Sequence, residues 1–289
     1  MNTPPPRIID LSKIHLAVLG SGNMGEAVLA GALRAGVLPE NVVASDTSAK
    51  RLEEVARKHG VHITSSNETA VRNADVVLVA VKPKDVEHLL GEVAGSLKRT
   101  TVVVSVAAGI TTGHIEEELQ VREPVVKVMP NTPAAIGAGV SALSAGYNAT
   151  DDDVALVKAL FAGTGVVVEV PESLQAAAGA LAGSGPAYVF YVIDALAEAG
   201  VAIGLTRAMA LDMAVKTVLG SARLLDETGE HPAMARERVS SPGGTTIEAL
   251  RVLDDSGVRA AIVNAVVAAR DRTDQITEEL EDQPVAFKS

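Results

Sequence analysis

Two short glycine-rich stretches of this 289-residue sequence have the composition of anion-binding turns. The first is "VLGSGNMGEA" (residues 18–27), in which Gly20, Gly22 and Gly25 give the spacing G-x-G-x-x-G between the apolar run "IHLAVLG" and the helix-spaced "NMGEAVLAGALRAG". In that setting the first glycine permits a tight turn, the second lets backbone approach a pyrophosphate, and the third lets helix pack on strand. A helix opening near Asn23 would present its free N–H groups and positive end to the phosphates. Gly20, Ser21, Gly22, Asn23, Met24 and Gly25 are therefore candidate dinucleotide contacts; a tight turn without a ligand is the plain alternative.

Asp46 ends the next apolar run, "NVVASD", 21 residues beyond Gly25. An acid there can grip the adenosine ribose hydroxyls and favour NADH. Ser45, Thr47, Ser48, Lys50 and Arg51 instead offer the donors that a 2′-phosphate of NADPH would need. Asp46 or Ser48 capping the following helix is a third reading. Lys82 in "AVKPKDV" (80–86) stands at another strand end, where ligands bind in such sheets, or is a solvated lysine. The loop "VMPNTPAAIGAG" (128–139) is either rigid cover for a nicotinamide or a structural turn.

The second stretch, "SSPGGTTIEAL" (240–250), lies more than 200 residues downstream. Pro242 stiffens the approach, Gly243 and Gly244 let the chain curl, and Thr245 or Thr246 is expected to cap the helix "IEALRVLDDSG". The free N–H groups at such an opening suit a smaller anion, such as a carboxylate, if it is more than an ordinary capped loop.

The elements that must hold these turns divide the chain. Apolar runs at 14–20, 41–46, 61–64, 74–81, 100–107 and 124–129 alternate with helical stretches. Strands apolar on both faces and separated by helices mean a parallel sheet covered on both sides, a doubly wound Rossmann-type α/β domain. Segments 139–146 and 165–170 are expected to add edge strands around a helix at 151–162. After Pro171 only Ala-rich helical runs follow, at 173–182, 186–203, 207–226, 245–254 and 257–282. This reading gives a Pro-rich, disordered N-terminal tail (1–13), a dinucleotide-binding domain (14–171) and an all-α domain for substrate and dimerisation (172–289). The helical half is apolar around most of its circumference, which calls for a partner subunit.

Composition narrows the chemistry. A formal charge of −11 and only 2% aromatic residues disfavour nucleic acid and anionic membranes as partners. The absence of Cys excludes disulfides, thiolate nucleophiles and Cys-ligated zinc, and fits a reducing cytoplasm. No signal peptide is read at the N-terminus, and the most apolar windows, such as "ADVVLVAV", look strand-length rather than membrane-spanning. The six His are not spaced as a metal site, and His231 reads as a cap or surface residue rather than a pocket wall.

With the motifs in place, the run "HPAMARERVSSPGGTTIEALRVLDDSG" (231–257) resembles the signature of the Δ1-pyrroline-5-carboxylate reductases, enzymes of the last step of proline biosynthesis. "GSGNMGEA", "AVKP", "SVAAGIT", "VMPNTP" and "LAGSGPAYVFYVIDALAEAG" are similar to that family in the same order, from about residue 14 to 275. Ala235 departs mildly, standing where the family pattern has a larger aliphatic residue. The resemblance implies that Ser241, Gly243, Gly244, Thr245 and Thr246 cradle the substrate carboxylate. Thr246, the one catalytic candidate, would hydrogen-bond the ring nitrogen, and Glu172 would lie on the substrate side. For the cofactor it implies the residues from Gly20 to Gly25, Ser45, Asn67, Ala80, Val81, Lys82, Pro83, Val106, Ala107 and Ala108, with Ser184 at the nicotinamide ribose. It also implies NADPH or NADH, with NADPH favoured, no metal, and a homodimer that can assemble into a larger ring.

Two rival functions remain at this point. A hydroxy-acid or keto-acid reductase of the same architecture would need a general acid in the helical half, where Lys216 is the candidate before the tail. A nicotinamide-sensing module without turnover would leave the second glycine turn without purpose.

Overall fold

The computed structural model describes residues 9–119 and 123–281. Its eight strands are β1 (Leu16–Leu19), β2 (Val42–Ser45), β3 (His62–Thr64), β4 (Val76–Val79), β5 (Val102–Ser105), β6 (Val125–Met129), β7 (Gly139–Ala145) and β8 (Gly165–Glu169). They form one sheet in the order β3-β2-β1-β4-β5-β6-β7-β8. Every pairing is parallel except β6 with β7. The order reverses at β1, which pairs with β2 on one side and β4 on the other, Leu19 lying opposite both Ser45 and Val79. That reversal opens a crevice at the carboxyl ends of the strands, the place where doubly wound sheets bind ligands.

Alternation along β1 shows why both faces must be covered. Leu16 and Val18 join a core with Val28, Leu29, Leu160 and Phe161, beneath α1 (Asn23–Ala35) and α6 (Asp151–Phe161). Ala17 and Leu19 face the opposite core, with Leu89 and Leu90 of α4 (Val86–Val93) and Ile115 of α5 (Thr112–Leu119). The central strands β1 and β4 therefore read as continuous apolar runs, buried at every position. Between β2 and β3 lies α2 (Ala49–His59), and before β4 the short α3 (Asn67–Val71). As expected, β8 is an edge strand; β7 lies inside it and reverses direction, which periodicity alone does not reveal.

Beyond the sheet come α7 (Gln175–Ala178) with a π-helical turn over Gly179–Gly183, α8 (Gly185–Ala202), α9 (Arg207–Thr228), α10 (Pro232–Arg238), α11 (Thr245–Asp255) and α12 (Val258–Glu281). The short α10 is absent from the sequence reading; Pro232 occupies its first turn and the His231 ring accepts from the Ala233 N–H at 3.2 Å. His231 is thus the helix cap.

The chain forms two compact units: Gly185–Ala269, and the residues up to Ser184 together with those from Arg270 onward. The sheet ends at Glu169, close to the boundary read at 171, yet residues 172–184 stay with the sheet unit for a physical reason. Gln175 Nε2 donates to Ser144 Oγ at 2.8 Å, and Asn131 Nδ2 donates to the Ala182 carbonyl at 2.9 Å. Of the tail read over 1–13, residues 1–8 lie outside the described residues. Leu11–Lys13 forms one helical turn, with Leu11 buried in the core and the Ser12 carbonyl accepting from Asn41 at 2.8 Å.

The helical unit has a small core of its own, Ala197, Ala210 and Ala214 with Ile193 and Leu205 against them. Phe190, Tyr191, Leu219 and Ile262 stay half-exposed or more. The helical run Glu172–Ala202 is, by length and composition, apolar enough to cross a membrane, longer than the apolar windows read in the sequence. A helical face awaiting a second subunit has the same composition.

Candidate active site

The first glycine turn is built by steric exclusion. Gly20 has φ +91°, and a Cβ there would stand 2.8 Å from the Ala80 carbonyl oxygen. A Cβ on Gly25 would collide with the Gly20 carbonyl, so helix and turn meet only through glycine. Gly22 differs: a Cβ there would meet nothing within 4 Å. It is nevertheless the N-cap of α1, with no side chain capping the helix. The first turn thus opens without a side-chain cap, beside a residue that adds no bulk, and this fits a dinucleotide pyrophosphate.

Around the turn the expected contacts converge. Gly20 N–H donates to the Ser45 carbonyl at 3.0 Å and Ala80 N–H to the Leu19 carbonyl at 2.8 Å. Val106 N–H donates to the Val79 carbonyl at 3.1 Å, so Ala80–Pro83 and Val106–Ala108 leave neighbouring strand ends. Ser45 Oγ donates to Asn67 Oδ1 at 2.7 Å, and Asn67 Nδ2 to Glu92 at 2.8 Å. Lys82 is exposed at the head of the turn Pro83–Asp85.

Asp46 is engaged by backbone: Oδ2 accepts from Ser21 N–H at 2.8 Å and Oδ1 from Ser48 N–H at 2.9 Å. The cap of α2 is Ser48, which accepts from Arg51 N–H at 3.3 Å. Arg51, read as a phosphate donor, instead places its guanidinium on the Ser21 carbonyl at 2.6 Å and on Glu26. The sequence reading missed Glu26, although an acid in the first turn of α1 opposite basic residues in α2 was a detectable signal. Burial pushes the Glu26 pKa up, but hydrogen bonds from Lys58, His59 and Arg51 and the Arg51 charge outweigh it, holding the carboxyl at about 2.

Further along the sheet unit, Asn131 serves structure. Its Nδ2 donates to Ala182 and its Oδ1 accepts from Val140 N–H at 3.0 Å. Glu172 lines a cleft of about 400 Å³ with Thr111, Lys127, Gln175 and Thr277. Its two oxygens accept from Thr112 N–H and Thr112 Oγ at 2.7 and 2.6 Å. Lys127 is buried there and donates to the Ile110 carbonyl. Burial lowers its pKa, and the Glu172 carboxylate pulls partly the other way. Ser184 is exposed just past the π-helical turn.

In the helical unit, the second turn opens α11 as expected, but with a different cap. Thr245 and Thr246 are the first helical residues; Gly244 is the N-cap, and no side chain caps the opening. The expectation of a threonine cap is therefore replaced by an uncapped helix start. Gly243 has φ +67°, and a Cβ on Gly244 would collide with Ser241 Oγ. The Gly244 N–H donates to the Ser241 carbonyl at 3.0 Å, closing the turn and leaving the following N–H groups for an anion. Lys216, the general acid the rival reductase needs, is exposed on α9 and pairs with Asp212 at 3.4 Å. Among the described residues no group of His, Cys, Asp and Glu is placed to hold a metal.

The chain is similar to known proteins over most of its length. Residues 172–276 match the family described as pyrroline-5-carboxylate reductase dimerisation, and residues 15–109 match NADP oxidoreductase, coenzyme F420-dependent. The pyrroline-5-carboxylate reductase of Methanosarcina acetivorans is 38% identical over 262 residues, covering 90% of this chain and 97% of that protein. The structure of a pyrroline-5-carboxylate reductase from Coxiella burnetii superposes with a TM-score of 0.86 at 35% identity, covering 91% of this chain and 98% of that one. The Plasmodium falciparum pyrroline carboxylate reductase, solved with NADP bound, gives 0.84 at 29% identity over 92% and 99% of the two chains. With both glycine turns in order and similarity spanning nine-tenths of its length, this chain belongs to the pyrroline-5-carboxylate reductase family.

Proposed function

We propose that the protein reduces 1-pyrroline-5-carboxylate to L-proline by hydride transfer from NADPH or NADH, the last step of proline biosynthesis. The observation that carries the reading is the uncapped opening of α11, with Thr246 at its second position, in a chain whose α1 opens in the same uncapped way. One opening suits a pyrophosphate, the other a small carboxylate.

The cyclic imine forms in solution and, protonated, accepts hydride without covalent catalysis. The bound nicotinamide supplies the hydride. The chain's task is orientation, worth up to roughly 7–11 kcal/mol in well-aligned reactions. Ser241, Gly243, Gly244 and Thr245 hold the carboxylate, Thr246 Oγ holds the ring nitrogen through imine and amine stages, and Glu172 borders the substrate. On the cofactor side, the residues from Gly20 to Gly25 hold the pyrophosphate, while Ser45, Asp46 and Asn67 serve the adenosine end. Ala80–Pro83, Val106–Ala108 and Ser184 serve the nicotinamide end. NADPH is the favoured form, as the family resemblance implies, and Asp46, whose two oxygens each accept one backbone amide, is the position on which the choice of cofactor turns.

The region 172–276 makes a homodimer, with dimers joining into a ring, and the protein works in the reducing cytoplasm that a Cys-free chain suits. The test is a pair of steady-state assays on pyrroline-5-carboxylate with NADPH and with NADH, alongside 3-hydroxy acids. Proline formation matched to cofactor oxidation supports the reading; turnover of 3-hydroxy acids alone would replace it.

A further inference from the structure

The Ser21 peptide, centred in the first glycine turn, is gripped on every polar atom. Its N–H donates to Asp46 Oδ2 at 2.8 Å, its hydroxyl to the Ser45 carbonyl at 3.2 Å, and its carbonyl accepts from Arg51 Nε at 2.6 Å. Arg51 is itself seated. Its second nitrogen donates to Glu26 Oε2, and its third lies 3.6 Å from Glu54. Glu26 is held in turn by Lys58 at 2.7 Å and His59 at 3.0 Å, with only 16% of its side chain exposed. Two of the guanidinium nitrogens thus have hydrogen-bond acceptors, and the third faces the Glu54 carboxylate as an ion pair.

The Ser21 carbonyl and the Gly22 N–H belong to one planar peptide unit and point in opposite directions. Gly20 and Gly22 flank that region, and glycine tolerates conformations closed to other residues, so the Ser21–Gly22 peptide would rotate easily if unheld. Fixing the carbonyl on Arg51 fixes the Gly22 N–H on the opposite side. Donors set in place before a ligand arrives bind it more tightly, because their ordering cost is already met.

We propose that Arg51, seated by Glu26, is a positioning residue that presets the dinucleotide turn, acting on NADPH and NADH alike through the shared pyrophosphate rather than on the 2′-phosphate. The inference rests on the reading of that turn as the dinucleotide site.

The experiment titrates the full-length protein and its Arg51→Met, Arg51→Lys and Glu26→Gln variants by calorimetry with NADPH, NADH, ADP-ribose and 2′-AMP. Arg51→Met is expected to weaken NADPH, NADH and ADP-ribose by a common factor of about tenfold, the scale of one charge-assisted hydrogen bond. The affinity for 2′-AMP, which has no pyrophosphate, stays unchanged. Arg51→Lys restores part of the loss, and Glu26→Gln, which keeps the arginine, shows a smaller loss with the same pattern. In assays the cofactor KM rises while kcat at saturating cofactor holds. If Arg51→Met does not fold, Glu26→Gln carries the same comparison. A loss confined to NADPH and 2′-AMP would overturn the proposal by making Arg51 a phosphate contact. Unchanged affinities with only a lowered melting temperature would overturn it as well. Wild-type protein that binds neither NADPH nor NADH would remove the dinucleotide reading itself.

Discussion

Glu172 and Thr112 lie 60 residues apart in sequence, yet both carboxylate oxygens of the one accept from the other, at 2.7 and 2.6 Å. The pair ties the segment after β8 to the opening of α5, and Lys127 stands close enough to feel the same carboxylate. Removing the acceptor leaves a helix N–H and a hydroxyl without their partner. Glu172→Ala is therefore expected to lower unfolding stability by about 1–3 kcal/mol. Chemical denaturation reads this directly, and an unmoved midpoint would show that the pair contributes nothing.

The glycines of the first turn separate folding from binding. A Cβ on Gly25 meets the Gly20 carbonyl, whereas one on Gly22 meets nothing. Gly25→Ala should lower the melting temperature, because turn or helix must shift. Gly22→Ala should leave melting nearly unchanged while weakening NADPH at least tenfold, since the new methyl occupies the space where backbone approaches the pyrophosphate. Equal effects of the two substitutions on melting and binding would contradict the division of labour.

Thr246 should matter to turnover rather than to folding, since no side chain caps α11. Thr246→Ala is expected to lower kcat/KM by about 1–3 kcal/mol of transition-state stabilisation, with Thr246→Ser recovering much of it. A steady-state value equal to wild type would remove Thr246 from the mechanism.

Glu26 sets an acid limit. Its carboxyl is held at about 2 against an ordinary 4.5 by Lys58, His59 and Arg51, in spite of the upward push of burial. A depressed carboxyl contributes stability that is fully present above its unfolded value and lost as pH falls through the folded one. The loss thus belongs to the window from about 4.5 down to about 2. Denaturation midpoints of wild type should fall through that window more steeply than those of Glu26→Gln. Parallel curves would contradict the assignment.

The half-exposed apolar residues of the helical unit predict obligate association. Paired substitutions Phe190→Glu and Leu219→Glu, at positions 61% exposed in the single chain, should yield smaller particles by light scattering and little activity. A wild-type protein that is monomeric and fully active would contradict this.

Sequence patterns carried the sheet because strands covered on both faces are apolar at every position, as in β4, and glycine-bounded helices separate them. They also carried both turns, where Gly20, Gly25 and Gly243 hold positions that a side chain would strain. They did not carry interactions between distant side chains. Arg51 reads from its neighbours as a phosphate donor, yet Glu26, 25 residues earlier, claims it. Residues 172–184 read as the start of the helical half, but Gln175 and Asn131 hold them to the sheet unit. The reversal of β7 leaves no trace in hydrophobic period, because period reports a strand's faces and not its direction. The helix α10 was within reach, since a proline just inside a start and a capping residue before it are a local signal.

The central claim is that the uncapped start of α11 holds the substrate's carboxylate. A crystal structure of the protein with NADPH and L-proline tests it most directly. The account predicts the proline carboxylate within hydrogen-bonding distance of backbone amides between Ser241 and Thr246, with the ring nitrogen on Thr246 Oγ. Proline bound elsewhere, with those amides facing solvent, would contradict it.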